Sequence, residues 1–465
     1  MALSKKAMHR VGEVFSEANL GDTRRVRRAI SLAQALAEAP TKTLPQIWSS
    51  EAELEAGYRF LRNPKTDFEA LMVPVQAATQ RRAKEAGRVL VLHDTTDITC
   101  PAAEADEVGH LSTGNAGFYV HHAICVSDDE HKTPLGVLWS KAWGREQRSR
   151  GINKMRSSDI AALAERESDR WLEGVTEAHL WMQPCKHAIH VMDSEADSFR
   201  LLSRLSQLEA EFVVRMRFDR RVVDGKIADT LAAQPIRLRR RVRLSTRKKS
   251  WHPVSPYQQR DARDADLSIR CATVELQPPK ASVDAFTALR VNIVQVLEEN
   301  PPEGAQPVSW ILATSLPIKT KKALEHVIDT YKARWIIEEF HKALKTGCMF
   351  EKRLLESFDA LTTLLAMCYP ISCELLRIRT RARQSGIPAS QILRKTLLDC
   401  LRAHPKAKPL NDNPTAEQAM RVIAGLGGHI KHNGPPGWQS LAVGYMELLT
   451  FERGWLAAKS QICDQ

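Results

Sequence analysis

The sequence predicts an α/β fold flanked by all-α segments at both ends. Three observations point to it. Apolar runs of strand length fall in the middle of the chain, helical spacing dominates both ends, and a basic β-rich block interrupts the middle. The 465 residues amount to roughly three domains' worth of chain. Apolar residues are 43% and charged residues 26%, which excludes wholesale disorder, collagen-like repeats and a multi-spanning membrane protein. Lys and Arg outnumber Asp and Glu by 67 to 55, giving a net charge of +12 and a pI near 9.3. Such an excess favours a polyanionic partner, nucleic acid first.

Residues 1–70 read as helical. Leu32, Ala33, Leu36 and Ala37 share one face, and Ser50-Glu51-Ala52-Glu53 is a capping box that starts another helix. Arg24, Arg25, Arg27 and Arg28 crowd a helix start behind Gly21-Asp22-Thr23, and Arg59 and Arg62 flank the aromatic Tyr58 and Phe60. Clusters of this kind suit phosphate contacts, although a solvated helix face has the same composition. The texture changes at Arg88. Val89-Leu90-Val91-Leu92 reads as a buried strand ending at His93-Asp94. Phe118 to Val126 and Leu135 to Trp139 are further strands, and Asp159 to Leu172 is helical. His187 to Met192 is a strand ending in Asp193, and Phe212 to Arg215 is a short one.

From 221 to 309 the pattern is β-rich and basic. Arg237, Arg239, Arg240, Arg241 and Arg243 are followed by Arg247, Lys248 and Lys249, with strands at Val291 to Val296 and Trp310 to Thr314. This block reads as an insertion in the α/β layer. Beyond 355 the chain is helical again, and Thr415-Ala416-Glu417-Gln418 caps one helix. The apolar stretch Ala360 to Cys373 contains Pro370 and is too short to span a bilayer, so it reads as a buried helix. The expected domains are 1–70, 71–355 and 356–465. Nine scattered cysteines without a CxxC pair suit a reduced compartment, and Met1 to Lys6 leads into no apolar leader segment, so a cytoplasmic protein is expected.

Asp94 and Asp193 stand at predicted strand ends, where α/β folds place their sites. Glu195 and Asp197 are rivals beyond the second strand end. A third carboxylate lies in the predicted helix Tyr331 to Lys345. On an ideal helix Tyr331, Arg334, Glu338 and Lys345 fall within about a 60° arc, with Glu339 rotated about 100° away from Glu338. Such a face suits a metal ligand flanked by phosphate clamps. It also suits a solvated face with an Arg334–Glu338 pair.

The spacing Tyr331-x₂-Arg334-x₃-Glu338-x₆-Lys345 resembles the tyrosine–arginine–glutamate–lysine signature of the insertion-sequence-four family of DDE transposases. Leu20-Gly21-Asp22, Tyr58-Arg59-Phe60, Asp94-Thr95-Thr96, Asp193 with Glu195-Ala196-Asp197, and Leu456-Ala457-Ala458-Lys459 agree with it in order, so the resemblance covers nearly the whole chain. It implies a ribonuclease-H-like core with a β insertion and a triad of Asp94, Asp193 and Glu338 holding two Mg²⁺ or Mn²⁺ ions. It implies Trp310, Tyr331, Arg334, Lys342 and Lys345 on DNA near the cut, and Arg24, Arg25, Arg28, Arg59 and Arg62 on the transposon end. The implied activity is cut-and-paste transposition through a hairpin, by a homodimer on double-stranded DNA, with no membrane involved. A non-catalytic DNA-binding relative and a metal-dependent nuclease without strand transfer are the alternatives. No individual DNA contact is carried over to Arg237–Arg270. Phe118-Tyr119 stands where relatives have a tryptophan pair.

Overall fold

The computed structural model describes residues 5–48, 50–145, 157–185, 187–246, 259–279, 286–430 and 434–463. Met1 to Ser4 and the basic run Arg247, Lys248 and Lys249 lie outside the described residues. The chain opens with helices α1 (Lys5–Glu13), α2 (Thr23–Glu38), α3 (Leu44–Ile47), α4 (Glu51–Leu61) and α5 (Phe68–Ala86). Strand β1 (Arg88–Thr99), α6 (Ala105–Val108), β2 (Gly117–Ser127) and β3 (Pro134–Trp143) follow. Then come α7 (Ser157–Met182), β4 (His187–Met192), α8 (Phe199–Gln207) and β5 (Glu211–Arg215). The next block holds β6 (Arg221–Val222), β7 (Gly225–Lys226), α9 (Ile227–Ala232), β8 (Leu238–Leu244), β9 (Arg263–Leu276), β10 (Leu289–Glu299) and β11 (Ser309–Thr314). The remainder is helical: α10 (Lys321–Ala333), α11 (Trp335–Lys342), α12 (Phe358–Ala382), α13 (Lys395–Ala403), α14 (Ala416–Leu426) and α15 (Trp438–Cys463). The result is a mixed α/β chain with a large mixed sheet.

Two compact units divide the chain discontinuously. The first holds Met1–Arg88, Asp94–Ser157 and Ile336–Gln465, and the second holds Val89–His93 and Ser158–Trp335. In the first unit β3, β2 and the outer half of β1 run side by side, with β2 and β3 antiparallel from Tyr119↔Trp143 to Val126↔Pro134. Helix α12 is the spine of this unit, packing on α5, β3, α2, α4 and α14. By length and composition α12 could cross a membrane, but 94% of its apolar window is buried inside the protein. Helices α14 and α15 cross closely because Gly427 and Gly444 lack side chains. A Cβ at either would collide with a backbone carbonyl of the other helix, Ser440 O or Ile423 O. In the second unit the inner half of β1, β4, β5, β11, β10, β9, β6 and β7 follow in that order, and β8 also pairs with β9. Strands β4 and β5 are parallel, whereas β5, β11, β10 and β9 are antiparallel in turn. Amphipathic α8 buries Phe199, Leu201, Leu202 and Leu205 in that unit's core.

Several expectations need correction. Strand β1 does not end at Asp94. It continues to Thr99, because Thr95, Thr96, Ile98 and Thr99 are β-branched and suit extended backbone. The predicted helix from Tyr331 to Lys345 is not one helix. It begins at Lys321, breaks at Arg334 and ends in a π-helical turn, Ala343–Gly347. The turn at Arg334 and the π-helical turn interrupt the regular 3.6-residue spacing between Tyr331 and Lys345. At Ser50 the side-chain oxygen accepts from Glu53 N at 3.3 Å, so the N-cap is made as expected. Leu441, Tyr445, Leu448 and Leu449 form a buried stripe on α15, where it meets α13 and α14.

Candidate active site and nucleic-acid interface

In the first unit the expected end-binding arginines sit at two helix termini. Asp22 caps α2 by accepting from Arg24 N at 2.8 Å and pairs with the Arg24 guanidinium at 3.0 Å. The hydrogen bond from the Arg24 side chain holds the Asp22 carboxyl below its ordinary value. Arg25 Nη1 donates to Leu20 O at 2.8 Å, and Arg28 is half-buried. At the end of α4, Arg59 and Arg62 are exposed. Arg59 lies 3.9 Å from Glu55, and the Arg62 guanidinium lies 5.8 Å from the Tyr58 ring centre.

Asp94 is the first residue of the outer half of β1. It is half-buried, and one carboxylate oxygen accepts from Thr95 N at 2.8 Å. Glu338 is half-buried in the first turn of α11, where the helix dipole favours a negative charge. The adjacent Glu339 has a different job. It lies 3.1 Å from Arg379, 3.1 Å from Lys342 and 3.8 Å from Arg383, and it accepts from Trp438 Nε1 at 3.1 Å. Burial raises the Glu339 pKa, but Arg379 and Lys342 outweigh it and hold the carboxyl below its ordinary value. Lys342, expected on DNA, is thus paired in the DNA-free chain. Lys345 is held as well, 2.8 Å from Asp97 and 3.8 Å from Glu351. The sequence reading missed both of these carboxylates, although Asp97 lies only three residues beyond Asp94.

In the second unit Asp193 follows β4 directly and caps a 3₁₀ turn, accepting from Glu195 N at 2.8 Å. Its rival Asp197 is buried and committed to structure. It lies 2.6 Å from Arg220 and accepts from the backbone of Arg217 and Phe218 at 2.7 and 2.9 Å. The rival Glu195 is exposed. Tyr331 is buried, its ring edge-on to Trp310 at 5.1 Å. Burial pushes the Tyr331 phenol up, Arg215 and Arg334 pull it down, and Asp193 is close enough to push it up again. Asp193, Arg215, Trp310, Tyr331 and Arg334 therefore share one neighbourhood. Beside it runs a groove of about 720 Å³ lined by Ser194, Trp310, Arg215, Arg240, Arg241, Arg243, Arg260 and Lys332, with no carboxylate among the lining residues. Arg240 pairs with Asp329 at 2.8 Å, and Arg241 and Arg243 share Asp264 at 3.8 and 3.3 Å, so the lining keeps an excess of positive charge. Arg215, Arg260 and Lys332 were absent from the expected site. Arg215 had a signal, a cation closing an apolar strand.

Basic helix ends in the first unit, and in the second a basic groove beside the strand-end carboxylate Asp193, suit phosphoryl transfer on nucleic acid. Residues 85–371, more than half of the chain, match the family model described as "Transposase DDE domain". The chain belongs to the DDE transposase family. Residues 10–66 match a second model, "Transposase DNA-binding", and this interval contains Arg24, Arg25, Arg28, Arg59 and Arg62. The transposase's DDE match contains Asp94, Asp193, Glu338, Trp310, Tyr331, Arg334, Lys342 and Lys345. Transposase domains of this type typically use divalent metals. Among the described residues no group of three or more His, Cys, Asp and Glu side chains is gathered as a ready metal site. The donor chemistry still fits a hard divalent ion, which prefers carboxylate oxygens. Asp94, Asp193 and Glu338 each carry that donor type.

Proposed function

We propose that this transposase performs cut-and-paste transposition on a ribonuclease-H-like core, as an insertion-sequence-four member similar to the transposon-five transposase. The observation that carries the reading is the second unit's neighbourhood of Asp193, Trp310, Tyr331 and Arg215 beside a groove lined by cations and no carboxylates. Asp94, Asp193 and Glu338 would hold two divalent ions. Such ions neutralise charge at phosphorus and lower the pKa of an attacking water or 3′-hydroxyl. The chain's own residues then bind and orient. Arg215, Arg334 and Lys332 grip phosphates around the cut, Arg by bidentate hydrogen bonds and Lys as a point charge. Trp310 offers an aromatic face against which an extruded base stacks during hairpin formation, and buried Tyr331 braces it edge-on. Arg24, Arg25, Arg28, Arg59 and Arg62 hold the end of the transposon through its phosphates.

The acting form in this reading is a homodimer on two ends, each subunit cutting the end held mainly by its partner. The surface that fits the pairing is the far end of α15. Leu456 is 48% exposed there, and Ala457, Ala458 and Lys459 are exposed beside it.

The test is an assay of the full chain with Mg²⁺ and a duplex carrying the element's terminal repeat. Nicked, hairpin and joined products are expected. Cleavage without any joined product would make the protein a nuclease, and binding without cleavage would make it a non-catalytic relative. Mixing Asp94→Ala chains with Arg24→Ala/Arg25→Ala chains tests cutting in trans, and failure of the mixture to cleave would overturn it.

A further inference from the structure

Four buried polar side chains form one connected chain in the first unit. Ser140 on β3 lies 2.6 Å from the Tyr369 hydroxyl on α12, and that hydroxyl lies 3.1 Å from His122 Nε2 on β2. His122 Nδ1 then lies 3.2 Å from His341 Nε2 on α11. All four residues are buried, His122 and Tyr369 completely. Phe340 packs edge-on to the His122 ring at 5.4 Å and closes the site with an apolar wall. Burial holds the His122 imidazole neutral by pushing its pKa down, with His341 and Lys345 pushing the same way. A neutral imidazole has one donor and one acceptor, so each ring nitrogen meets a partner only in a matching arrangement. Burying four polar groups is costly unless each is satisfied, and a satisfied network fixes one packing arrangement.

The end of this chain is significant. His341 follows Glu338 by three residues, so one helical turn separates the anchored ring from the carboxylate. Helix α11 is only eight residues long. It is preceded by the irregular turn at Arg334 and followed directly by the π-helical turn, so its hydrogen-bond pattern is irregular at both ends. Side-chain tethers also hold it. Glu339 ties one side of α11 to Arg379 of α12 and Trp438 of α15, and His341 ties another to the sheet.

We propose that His122, braced by Tyr369, is a positioning residue that sets the roll of α11 and so aims the Glu338 carboxylate. The proposal rests on the assignment of Glu338 as a metal ligand. His122→Phe keeps an aromatic ring of similar size and removes both hydrogen bonds. A carboxylate displaced by about 1 Å costs on the order of 100-fold in rate. Magnesium tolerates misplacement poorly because it demands near-ideal octahedral geometry. His122→Phe is therefore expected to lose roughly 10- to 100-fold of Mg²⁺-supported cleavage, with DNA binding retained. Its affinity for Mn²⁺, read by paramagnetic resonance of the free ion without DNA or turnover, should fall as well. His122→Asn keeps a polar atom near the Nδ1 position and should recover part of both. Tyr369→Phe, which deletes one oxygen, should shift Mn²⁺ affinity in the same direction and serves if His122→Phe does not fold. Wild-type Mn²⁺ affinity in folded His122→Phe or Tyr369→Phe would overturn the positioning role. So would a cleavage loss that merely tracks a loss of thermal stability. Glu338→Gln separates the two levels. If it cleaves normally, the ligand assignment itself fails, whereas an inactive Glu338→Gln beside an unaffected His122→Phe removes only the positioning claim.

Discussion

Glu338 and Glu339 are neighbours in sequence with opposite expected consequences when removed. Glu339→Ala strips the partner from Arg379, whose side chain is 9% exposed and whose guanidinium burial has already lowered to a pKa of about 10. It also leaves Trp438 Nε1 without its acceptor and releases Lys342. Breaking a buried pair by removing one partner costs about 3–5 kcal/mol, and the 14% exposure of Glu339 places this case near the lower end. Taking about 3 kcal/mol, the midpoint of thermal unfolding should fall by about 5–10 °C for a cooperative unit of this size. Glu338→Ala, at a half-exposed site, should move it by no more than about 2 °C while abolishing metal-dependent cleavage. Scanning calorimetry with a cleavage assay on both variants checks the pair. The pH dependence supplies a sign. Because the folded-state pKa of Glu339 lies below its ordinary 4.5, its stabilisation is present above that value and is lost as pH falls through the folded pKa. The gap in midpoint between wild type and Glu339→Ala should therefore narrow below pH 4.5. A Glu339→Ala chain as stable as wild type, or a Glu338→Ala chain that melts early and still cuts, would refute the assignment of roles.

Three further outcomes are expected. Arg24→Ala with Arg25→Ala should weaken end binding and reduce the slope of log affinity against log salt by at most about two units; an unchanged slope takes these residues off the DNA. Trp310→Ala should impair hairpin formation more than the first nick, since only the hairpin needs a base to leave the stack, and gel resolution of the two products will show equal losses if the residue is merely structural. Asp97→Asn should tighten DNA binding by a few-fold, because Lys345 no longer has a competing carboxylate at 2.8 Å and the pair, half in solvent, is worth about 1 kcal/mol or less; weaker binding in a titration would contradict this.

Local signals are legible in the sequence. The Thr415 capping box is made, with Thr415 Oγ1 accepting from Gln418 N at 3.2 Å and Gln418 Oε1 accepting from Thr415 N at 2.9 Å. Leu32, Ala33, Leu36 and Ala37 are buried on α2, and the uncharged stretch from Ala360 lies in a buried helix. A single periodicity misleads where the backbone changes character within a run. The apolar run Val89 to Leu92 hides the β-branched continuation of β1 through Asp94, and regular helical spacing hides the irregular turn at Arg334. The stripe on α15 shows the limit of amphipathicity, since a helix face records that it is covered but not by what. Contacts between distant segments leave no local trace. Nothing in the neighbourhood of His122 signals a hydrogen bond to Tyr369, 247 residues away. Arg220 and Asp197 meet through a fold in the chain, so the commitment of Asp197 could not be separated from the candidacy of Asp193 beforehand.

The discontinuity of the first unit also governs how this chain can be made. Its opening stretches, Met1–Arg88 and Asp94–Ser157, belong with Ile336–Gln465, and 178 residues of the second unit emerge between them. At 5–20 residues per second a ribosome takes roughly 10 to 35 s to cross that interval. Throughout it the surfaces of α2, α4, α5 and β3 that α12 later covers have no partner. The nascent chain is thus a long-lived species with open apolar surface, the kind that aggregates or recruits holding chaperones. Slower translation between residues 158 and 335 should lower the soluble yield, whereas slowing after residue 382, once α12 is complete, should matter much less.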